Sequence, residues 1–221
     1  MFTKIADIVD RLLYGPRMAG PRRYADEDDI EASSGQYVNV LRPHPGDIDI
    51  QDIAHALSMQ CRFNGHIRKF YSVAEHCIRV ANHLPPALRI HGLLHDAAEA
   101  YLGDIVTPVK HLLFGYRRME ESMLRAIYTS LGLPLPTRAE RAAVKRADML
   151  ALREEAWTLL PSRGRWRVDS TVTEPEETLL CLGPADAELM WLGTFKALRE
   201  AVGEQRGAAA TQHFGGTGGS E

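Results

Sequence analysis

The feature that most constrains the fold is a helical spacing of apolar residues from residue 47 to about residue 202. It runs through DIDIQDIAHALSMQ, YSVAEHCIRVANHL and PPALRIHGLLHDAAEAYL, and short turn-rich or polar stretches separate these segments. Ser72 and Thr137 are each followed three residues later by a glutamate, which predicts a capping box at two helix starts. The pattern predicts an all-α bundle.

Both ends of the chain differ from this region. Residues 1–33 show helical spacing over residues 2–13 and then a loop with glycines, prolines and a charge reversal, so we predict a helix and loop extension. The following SSGQYVNVLRPHPGD fits either a small hairpin or an extended lead-in. The last predicted helix covers residues 185–202, and the glycine-rich residues 204–221 predict a disordered tail. Residues 34–203 are expected to form the main domain.

Charge and cysteine usage exclude several classes of protein. A formal net charge of -3 argues against general binding to nucleic acid, which needs an excess of basic residues. The three cysteines, Cys61, Cys77 and Cys181, have no C-x-x-C spacing, so neither a disulfide framework nor a thiolate zinc site is indicated. No stretch approaches the roughly 18 consecutive apolar residues of a membrane span. We predict a cytoplasmic protein that has neither a membrane nor a nucleic acid as its partner.

A polar stripe marks the segment HGLLHDAAEAYLGD, residues 91–104. At about 100° per residue, His91, His95, Asp96 and Glu99 share one face of a continuous helix, and apolar residues lie opposite. Most such stripes are solvated surfaces, but those usually include lysine and arginine. Two imidazoles and two carboxylates are instead the ligands that suit a divalent transition metal. The stripe therefore predicts part of a metal site whose other ligands come from other helices.

Two polar residues on other predicted helices could complete this site. His76 lies at the edge of an apolar stripe, where a hydrogen-bonded core histidine is the more frequent outcome. Asp148 lies on the apolar side of its helix, where a carboxylate without a cation is costly. Convergence of the three helices would leave metal positions open, which is typical of a catalytic site.

The order of a histidine, a His-Asp pair and a distant aspartate resembles the HD-domain metal-dependent phosphohydrolases. The resemblance covers residues 34–160 through DIAHALSMQCRFNGH, YSVAEHCIRVANHL, LLHDAAEAYLGDIVTPVK and VKRADMLALREEAW. It is close to the branch of HD-type 5'-deoxynucleotidases and deoxynucleoside triphosphohydrolases. It implies an HD-domain bundle with one divalent ion, such as Co, Mn, Zn or Fe, between its helices. The ligands that it implies are His76, His95, Asp96 and Asp148.

Catalytic and phosphate-binding residues also carry over from the resemblance. Glu99 in HDAAE matches the glutamate with the acid/base or water-orienting role, and Asp104 matches the aspartate of the GD motif. The family's TPVK is unchanged here, so Thr107 and Lys110 are expected at the substrate. The lysine is suited to holding phosphate oxygens.

The segment CRFNGH carries the remaining substrate residues that the resemblance implies. Arg62 resembles the arginine that clamps phosphate and checks the sugar, and Phe63 stands where nucleotidase relatives often have tryptophan. His66 belongs to the same pattern, and a phosphate contact and a structural hydrogen bond are equally open roles for it. For His91, a hydrogen bond to a metal ligand and exposure near a turn are both open, and exposure is the favoured expectation.

The function that the resemblance implies is hydrolysis of 5'-(deoxy)nucleoside monophosphates to nucleoside and phosphate. A deoxynucleoside triphosphate triphosphohydrolase is the alternative within the same chemistry. A non-catalytic HD-fold regulatory module is an alternative from another class, and it predicts broken ligand positions, whereas all four ligand positions and Glu99 are intact. Dimerisation is common among such proteins, and a homodimer is an open alternative.

Overall fold

Eight α-helices and one hairpin make up the part of the chain that the structure describes. The computed structural model describes residues 27–163 and 177–214, with the side chains of 204–214 outside that description. The elements are β1 (Asp29–Glu31), β2 (Tyr37–Asn39), α1 (Ile50–Met59), α2 (Val73–Asn82), α3 (Arg89–Leu93), α4 (Glu99–Leu102), α5 (Thr107–Lys110), α6 (Tyr116–Ser130), α7 (Arg138–Leu159) and α8 (Pro184–Phe214). These elements confirm the all-α prediction. The helix predicted over residues 2–13 lies outside the described residues.

Helix α2 is the centre of the bundle. Every residue from Val73 to Ala81 is buried, because α1, α3, α7 and α8 all pack around this helix. Its apolar side chains pack with those of α1 and α3 in one core. Trp191 of α8 is part of this core and is fully buried. A polar residue on α2 therefore lies inside the protein, and His76 is 0% exposed.

The N-terminal hairpin decides between the two predictions for this region in favour of a hairpin. β1 pairs antiparallel with β2, with Ile30 opposite Val38. Asp52 of α1 holds the turn, since its carboxylate accepts hydrogen bonds from the hydroxyls of Ser33 and Ser34 at 2.6 Å. The predicted domain boundary at residue 34 thus falls inside the hairpin, and β1 belongs with the packed unit.

The two predicted capping boxes have different outcomes. Thr137 and Glu140 form the complete reciprocal box at the start of α7. At the start of α2, Ser72 accepts from the backbone N–H of Glu75 at 3.1 Å. The Glu75 carboxylate does not return the bond, because it accepts from the backbone N–H groups of Cys181 and Leu182 instead. The side chain of Glu75 therefore fastens the segment before α8 onto α2.

The continuous helix predicted through residues 86–102 is wrong. The chain forms a 3-10 turn at Pro86–Leu88, then α3, a turn over residues 94–98, and α4. Within the turn, the backbone N–H of Ala97 donates to Leu94 and that of Glu99 donates to Asp96, so the bonds span three residues instead of four. The four polar residues of the predicted stripe consequently do not share one helical face.

The last helix extends past its predicted end near residue 202. It continues to Phe214 and so enters the region predicted as a disordered tail, of which residues 215–221 lie outside the described part. Glutamate, glutamine, arginine and three alanines here are strong helix formers, and they offset the cost of two glycines. Across the described ranges, no helix combines the length and apolar character that crossing a lipid bilayer requires.

Candidate metal centre

Two parts of the chain bring three ligand atoms to one point. His76 comes from the buried helix α2, and His95 and Asp96 come from the turn between α3 and α4. One nitrogen of each imidazole and one oxygen of the carboxylate all lie within 4.8 Å of one another. Among the described residues, this triad is the group that could hold a metal ion.

Hydrogen bonds at the far side of each ring determine which imidazole nitrogen faces the triad. The Nδ1 atom of His76 lies 2.7 Å from Oε1 of Glu155, and Nδ1 of His95 lies 2.8 Å from the carbonyl oxygen of Gly92. Both partners are acceptors, so each Nδ1 carries the proton and each Nε2 presents a lone pair. Both Nε2 atoms are buried, and neither has a hydrogen-bond partner in the described part of the chain.

The carboxylate of Asp96 faces these two lone pairs. Its Oδ2 atom lies 3.1 Å from Nε2 of His95 and 3.5 Å from Nε2 of His76. Three acceptor atoms at such distances repel one another unless a positive charge lies among them. Neutral imidazole and ionised carboxylate are ligands that divalent transition metals accept. The triad therefore fits a divalent ion.

The same preference for positive charge appears in the pKa values of the three residues. Burial lowers the pKa of His95, but the Asp96 carboxylate overrides it and raises that pKa well above its usual value. Burial and Arg62 lower the pKa of His76, but Glu155 and Asp148 produce a net increase. Burial opposes ionisation of Asp96, yet the two histidines hold its pKa below the usual range. A proton on the imidazoles and a metal ion are thus competing occupants.

Asp148 lies beside the triad. Its Oδ1 atom is 3.4 Å from Nε2 of His76, while its Oδ2 atom accepts a hydrogen bond from Nζ of Lys145 at 2.6 Å. Burial opposes its ionisation, but His76 and His95 hold its pKa below the usual range. The structure therefore brings Asp148 to the site, although its oxygens are not within 4.8 Å of all three triad atoms.

Glu155 is a residue of this site that the sequence reasoning missed. Its side chain is 0% exposed, and its second oxygen accepts from Nε of Arg62 at 3.1 Å. Burial raises the pKa of this carboxyl group, but Arg62 and His76 bring it below the usual range. Its spacing from Asp148 was an available signal, since seven residues are two helical turns and place both on one face of α7. A carboxylate that accepts from the second nitrogen of a histidine ligand is typical of metal sites.

Arg62 lies beside the triad and contacts two carboxylates. It is 8% exposed, its Nε atom bonds Glu155, and its Nη1 atom is 3.9 Å from Oδ2 of Asp96. Phe63 follows with φ 55°, in a 3-10 turn over Arg62–Gly65. The guanidinium is held within the protein by two carboxylates, so its contacts support the triad.

Glu99 and Lys110 form a second charged group next to the triad. The Nζ atom of Lys110 lies 2.8 Å from Oε1 of Glu99 and 2.9 Å from Oε1 of Glu120. Oε2 of Glu99 is buried and has no hydrogen-bond partner within residues 27–163 and 177–203. Burial raises the pKa of Glu99 well above its usual value, and the charges of Asp96 and Asp104 add to the effect. Glu120 is a further residue that the sequence reasoning missed.

Gln60 connects the backbone of the two predicted catalytic residues. Its Nε2 atom donates to the carbonyl of Glu99, and its Oε1 atom accepts from the N–H of Asp104, both at 2.9 Å. Burial raises the pKa of Asp104, and Arg62 partly opposes this. One amide side chain at the end of α1 thus holds the start of α4 and the segment after it in register.

Three predicted residues lie farther out or elsewhere. Thr107 is exposed at the start of α5, and His66 is exposed at the end of the 3-10 turn. His91 is 8% exposed, and its Nδ1 atom lies 3.0 Å from the hydroxyl of Tyr128. The expectation that His91 is exposed is therefore wrong, because its imidazole lies in the contact between α3 and α6.

A cleft of about 650 Å³ opens beside the triad, between α6 and α7. His95, Asp96 and Asp148 line this cleft, together with Lys110. A volume of this size accommodates a small organic ligand.

Comparisons with known proteins identify two relatives. No family model matches the chain. The protein YfdR of Escherichia coli (strain K12), described as uncharacterized, is 37% identical over 173 residues, which are 77% of this chain and 96% of YfdR. The protein RCAP_rcc00048 of Rhodobacter capsulatus, also described as uncharacterized, is 40% identical over 135 residues, which are 56% of this chain and 68% of that protein. The chain belongs to the family that includes YfdR and RCAP_rcc00048.

Proposed function

We propose that this chain is a metal-dependent phosphohydrolase of the HD-domain type, with nucleotides as its substrates. The main support for the proposal is the triad: two buried Nε2 atoms and one carboxylate converge on one point, and neither Nε2 atom has a hydrogen-bond partner among the described residues. The triad and Asp148 are the four ligand positions that the HD resemblance implies. A site with few protein ligands beside an open cleft is typical of a catalytic metal centre.

A divalent ion held by these residues supplies Lewis-acid polarisation of a phosphoryl oxygen. Glu99 is the proposed acid/base, because its carboxyl group is buried next to the triad and its pKa is raised, as a general acid requires. Lys110 holds Oε1 of Glu99, which leaves Oε2 as the atom that gives a proton to the leaving oxygen. Asp104, next to it across Gln60, orients the attacking water in this proposal.

We assign Lys110 and Arg62 roles other than the direct phosphate binding that the resemblance implies. Lys110 is shared by Glu99 and Glu120, so it orients the acid/base group and adds a positive charge to the lining of the cleft. Arg62 is engaged by Glu155 and Asp96, so we assign it to support of the ligands. Positive charge near the reacting phosphoryl group stabilises the transition state of phosphoryl transfer.

The proposed reaction releases phosphate from 5'-(deoxy)nucleoside monophosphates, and release of tripolyphosphate from a deoxynucleoside triphosphate is the alternative. A regulatory module without catalysis is the candidate from another class. The position of Glu99 favours an enzyme, because a buried carboxyl group whose Oε2 atom has no hydrogen-bond partner among the described residues costs stability and is typical of a functional site.

The decisive experiment loads the protein with Co²⁺, Mn²⁺, Zn²⁺ or Fe²⁺ and incubates it with mono- and triphosphate nucleotides. We expect inorganic phosphate or tripolyphosphate among the products. Asp96→Ala should lose metal and activity together, whereas Glu99→Gln should keep metal and lose turnover by about 10²–10⁴-fold. Glu200→Gln, on the exposed side of α8, is the control and should match the unmodified protein.

Two results would contradict the proposal. Full metal-dependent hydrolysis by the Asp96→Ala protein would show that the ligands are wrong. A metal-loaded protein that hydrolyses no nucleotide in the panel would favour the regulatory module.

A further inference from the structure

We propose that an acidic recess beside the triad holds the sugar of the leaving group, and that Glu120 and Glu121 accept hydrogen bonds from the hydroxyl groups of this sugar. The inference rests on the proposed function and deepens it, because it assigns the residues that recognise the leaving group. The recess is lined by His95, Asp96 and Glu99 and, from α6, by Arg117, Glu120 and Glu121.

The acidic recess and the larger cleft meet at the triad but differ in the residues beside it. His95 and Asp96 line both cavities. Glu99 belongs to the lining of the recess, whereas Lys110 and Asp148 belong to the lining of the cleft. A phosphoryl group at the triad is therefore next to both cavities, and the proposed acid/base lines the recess.

Glu99 is an independent sign that a ligand group enters the recess. Its side chain is 5% exposed, and its Oε2 atom has no hydrogen-bond partner among the residues that the structure describes. A buried carboxyl oxygen of this kind needs an explanation, and a ligand atom at hydrogen-bond distance supplies one. In the proposed reaction Oε2 gives its proton to the leaving oxygen, which has to come within about 3 Å of it. The carbon atoms attached to that oxygen then lie in the recess.

The charge of the acidic recess fits a neutral group that carries hydroxyls. Among the described residues of its lining, Arg117 is the one cation, and it pairs with Glu121 at 3.1 Å. The carboxylates repel a further phosphate, but a sugar hydroxyl can donate to them, and acidic residues bind ribose hydroxyls in dinucleotide-binding proteins. Glu120 and Glu121 use Oε1 in their ion pairs with Lys110 and Arg117. A carboxylate has about four acceptor positions, so both retain capacity for a hydroxyl.

The size of the acidic recess fits a sugar ring. Its volume is about 180 Å³, which is the volume of about six water molecules in the liquid. Pockets for drug-sized ligands begin at about 300 Å³. A sugar together with its base exceeds the recess, so we infer that the recess recognises the sugar and that the base lies outside it.

The first test measures kcat/KM of the metal-loaded protein for AMP, for dAMP and for ddAMP, which lacks both sugar hydroxyls. We expect AMP to be preferred over ddAMP by about tenfold or more, because a hydrogen bond to a charged acceptor contributes at least that much. The value for dAMP identifies the hydroxyl: a value near that of AMP indicates the hydroxyl that dAMP keeps, and a value near that of ddAMP indicates the one that it lacks.

Variants of the two glutamates assign this preference to the recess. Glu121→Met removes the acceptor oxygens, so the ratio of AMP to ddAMP should fall toward one while kcat/KM for ddAMP stays the same. Glu121→Gln keeps an amide oxygen and should retain part of the preference. Glu120→Met should lower the ratio and also both rates, because Glu120 holds Lys110 as well. Glu200→Met removes an exposed carboxylate of α8 and is the matched control.

A binding measurement separates failure of the recess from failure of the proposed function. AMP and ddAMP are titrated calorimetrically into the metal-loaded protein and into each variant. Tighter binding of AMP that disappears in Glu121→Met or Glu120→Met supports the recess even if neither nucleotide is hydrolysed. Equal affinity for the two nucleotides, binding of neither, or an unchanged ratio in both glutamate variants overturns it. A loss in Glu121→Met that affects AMP and ddAMP alike also overturns it, because a purely structural role has that effect.

Discussion

Glu155 is the residue that determines how His76 can act. Its carboxylate accepts from Nδ1 of His76 at 2.7 Å and from Nε of Arg62 at 3.1 Å. Both bonds are fully buried, so they act in a medium of low dielectric constant, where a charge without its partner is expensive. The tautomer of His76 and the position of Arg62 therefore both depend on the Glu155 carboxylate.

Glu155→Gln should weaken metal binding by about 10–100-fold, because the amide keeps the volume but removes the charge that makes His76 a better ligand. The loss of one partner of a buried ion pair should also lower the free energy of unfolding by about 3 kcal/mol. Calorimetric metal titration and denaturant unfolding measure the two effects. Glu154→Gln is the matched control, since Glu154 pairs with Arg79 and His83.

The double variant Arg62→Gln, Glu155→Gln separates stability from ligand tuning. It removes both charges, so much of the stability should return while the metal affinity stays low. Recovery of the affinity together with the stability would mean that Glu155 acts by packing and charge balance alone.

Some site residues were predictable and others were not, for a physical reason. His76, His95 and Asp96 have unusual chemistry for their place in an apolar pattern, and the pattern is local. The partners of Arg62 and Lys110 are decided by distance in the folded protein, and Arg62 lies 93 residues from Glu155 along the chain. A sequence pattern shows that a cation is present, but it does not show which carboxylate holds it.

Among the secondary-structure elements, the turn between α3 and α4 positions two of the three triad residues, His95 and Asp96. Gly92 lets α3 approach α2, because a Cβ atom there would lie 2.6 Å from Cδ1 of Leu84 and 2.9 Å from Cα of Ala81. The Gly92 carbonyl also accepts from Nδ1 of His95. The same residue thus controls helix packing and the orientation of a ligand.

Gly92→Ala should lower the free energy of unfolding by about 1–3 kcal/mol, since the neighbouring backbone of α2 has to move. It should also weaken metal binding, because the turn that carries His95 shifts with α3. Gly193→Ala is the control within a helix: no atom lies within 4 Å of its added Cβ, so it should raise stability by about 0.5–1 kcal/mol. Thermal unfolding and metal titration of both variants check this.

Periodicity predicted most of the helices but not the break at residues 94–98. The apolar positions of this segment fit one continuous helix, and it contains no proline after Pro86. The break follows from contacts with α2 and from the bond between His95 and the Gly92 carbonyl. Tertiary packing overrides the local preference for a helix here. A helical wheel uses only the order of residues, so it cannot predict such a break.

For the whole molecule, the triad joins α2 to the α3–α4 turn, with α7 alongside through Asp148 and Glu155. An ion bound here therefore links elements that are far apart in sequence, and its binding energy adds to the stability of the folded state. Protons compete for the same space, since the pKa values of His76 and His95 are both raised in the folded chain.

Because of this competition, the stability of the metal-free protein and the stabilisation by bound metal depend on pH in opposite directions. Because the folded pKa values of the two histidines exceed the unfolded value near 6.5, protonation stabilises the metal-free protein fully below that pH. This contribution is lost as the pH rises through the folded pKa values. A bound metal ion needs the deprotonated imidazoles, so its stabilisation grows over the same range.

We therefore expect the Tm of chelator-treated protein to fall as the pH rises above about 6.5, while the Tm of metal-loaded protein does not, so the gap between them widens. At a metal concentration a hundred times the dissociation constant, the ion adds about 2.7 kcal/mol, or roughly 5–10 °C for a chain of this size. Calorimetric scans from pH 6 to pH 9 measure the gap. His95→Gln should abolish it, and His83→Gln, whose imidazole bonds Glu154 outside the triad, should leave it intact. Parallel curves for the metal-free and metal-loaded protein would mean that proton and metal do not share the triad.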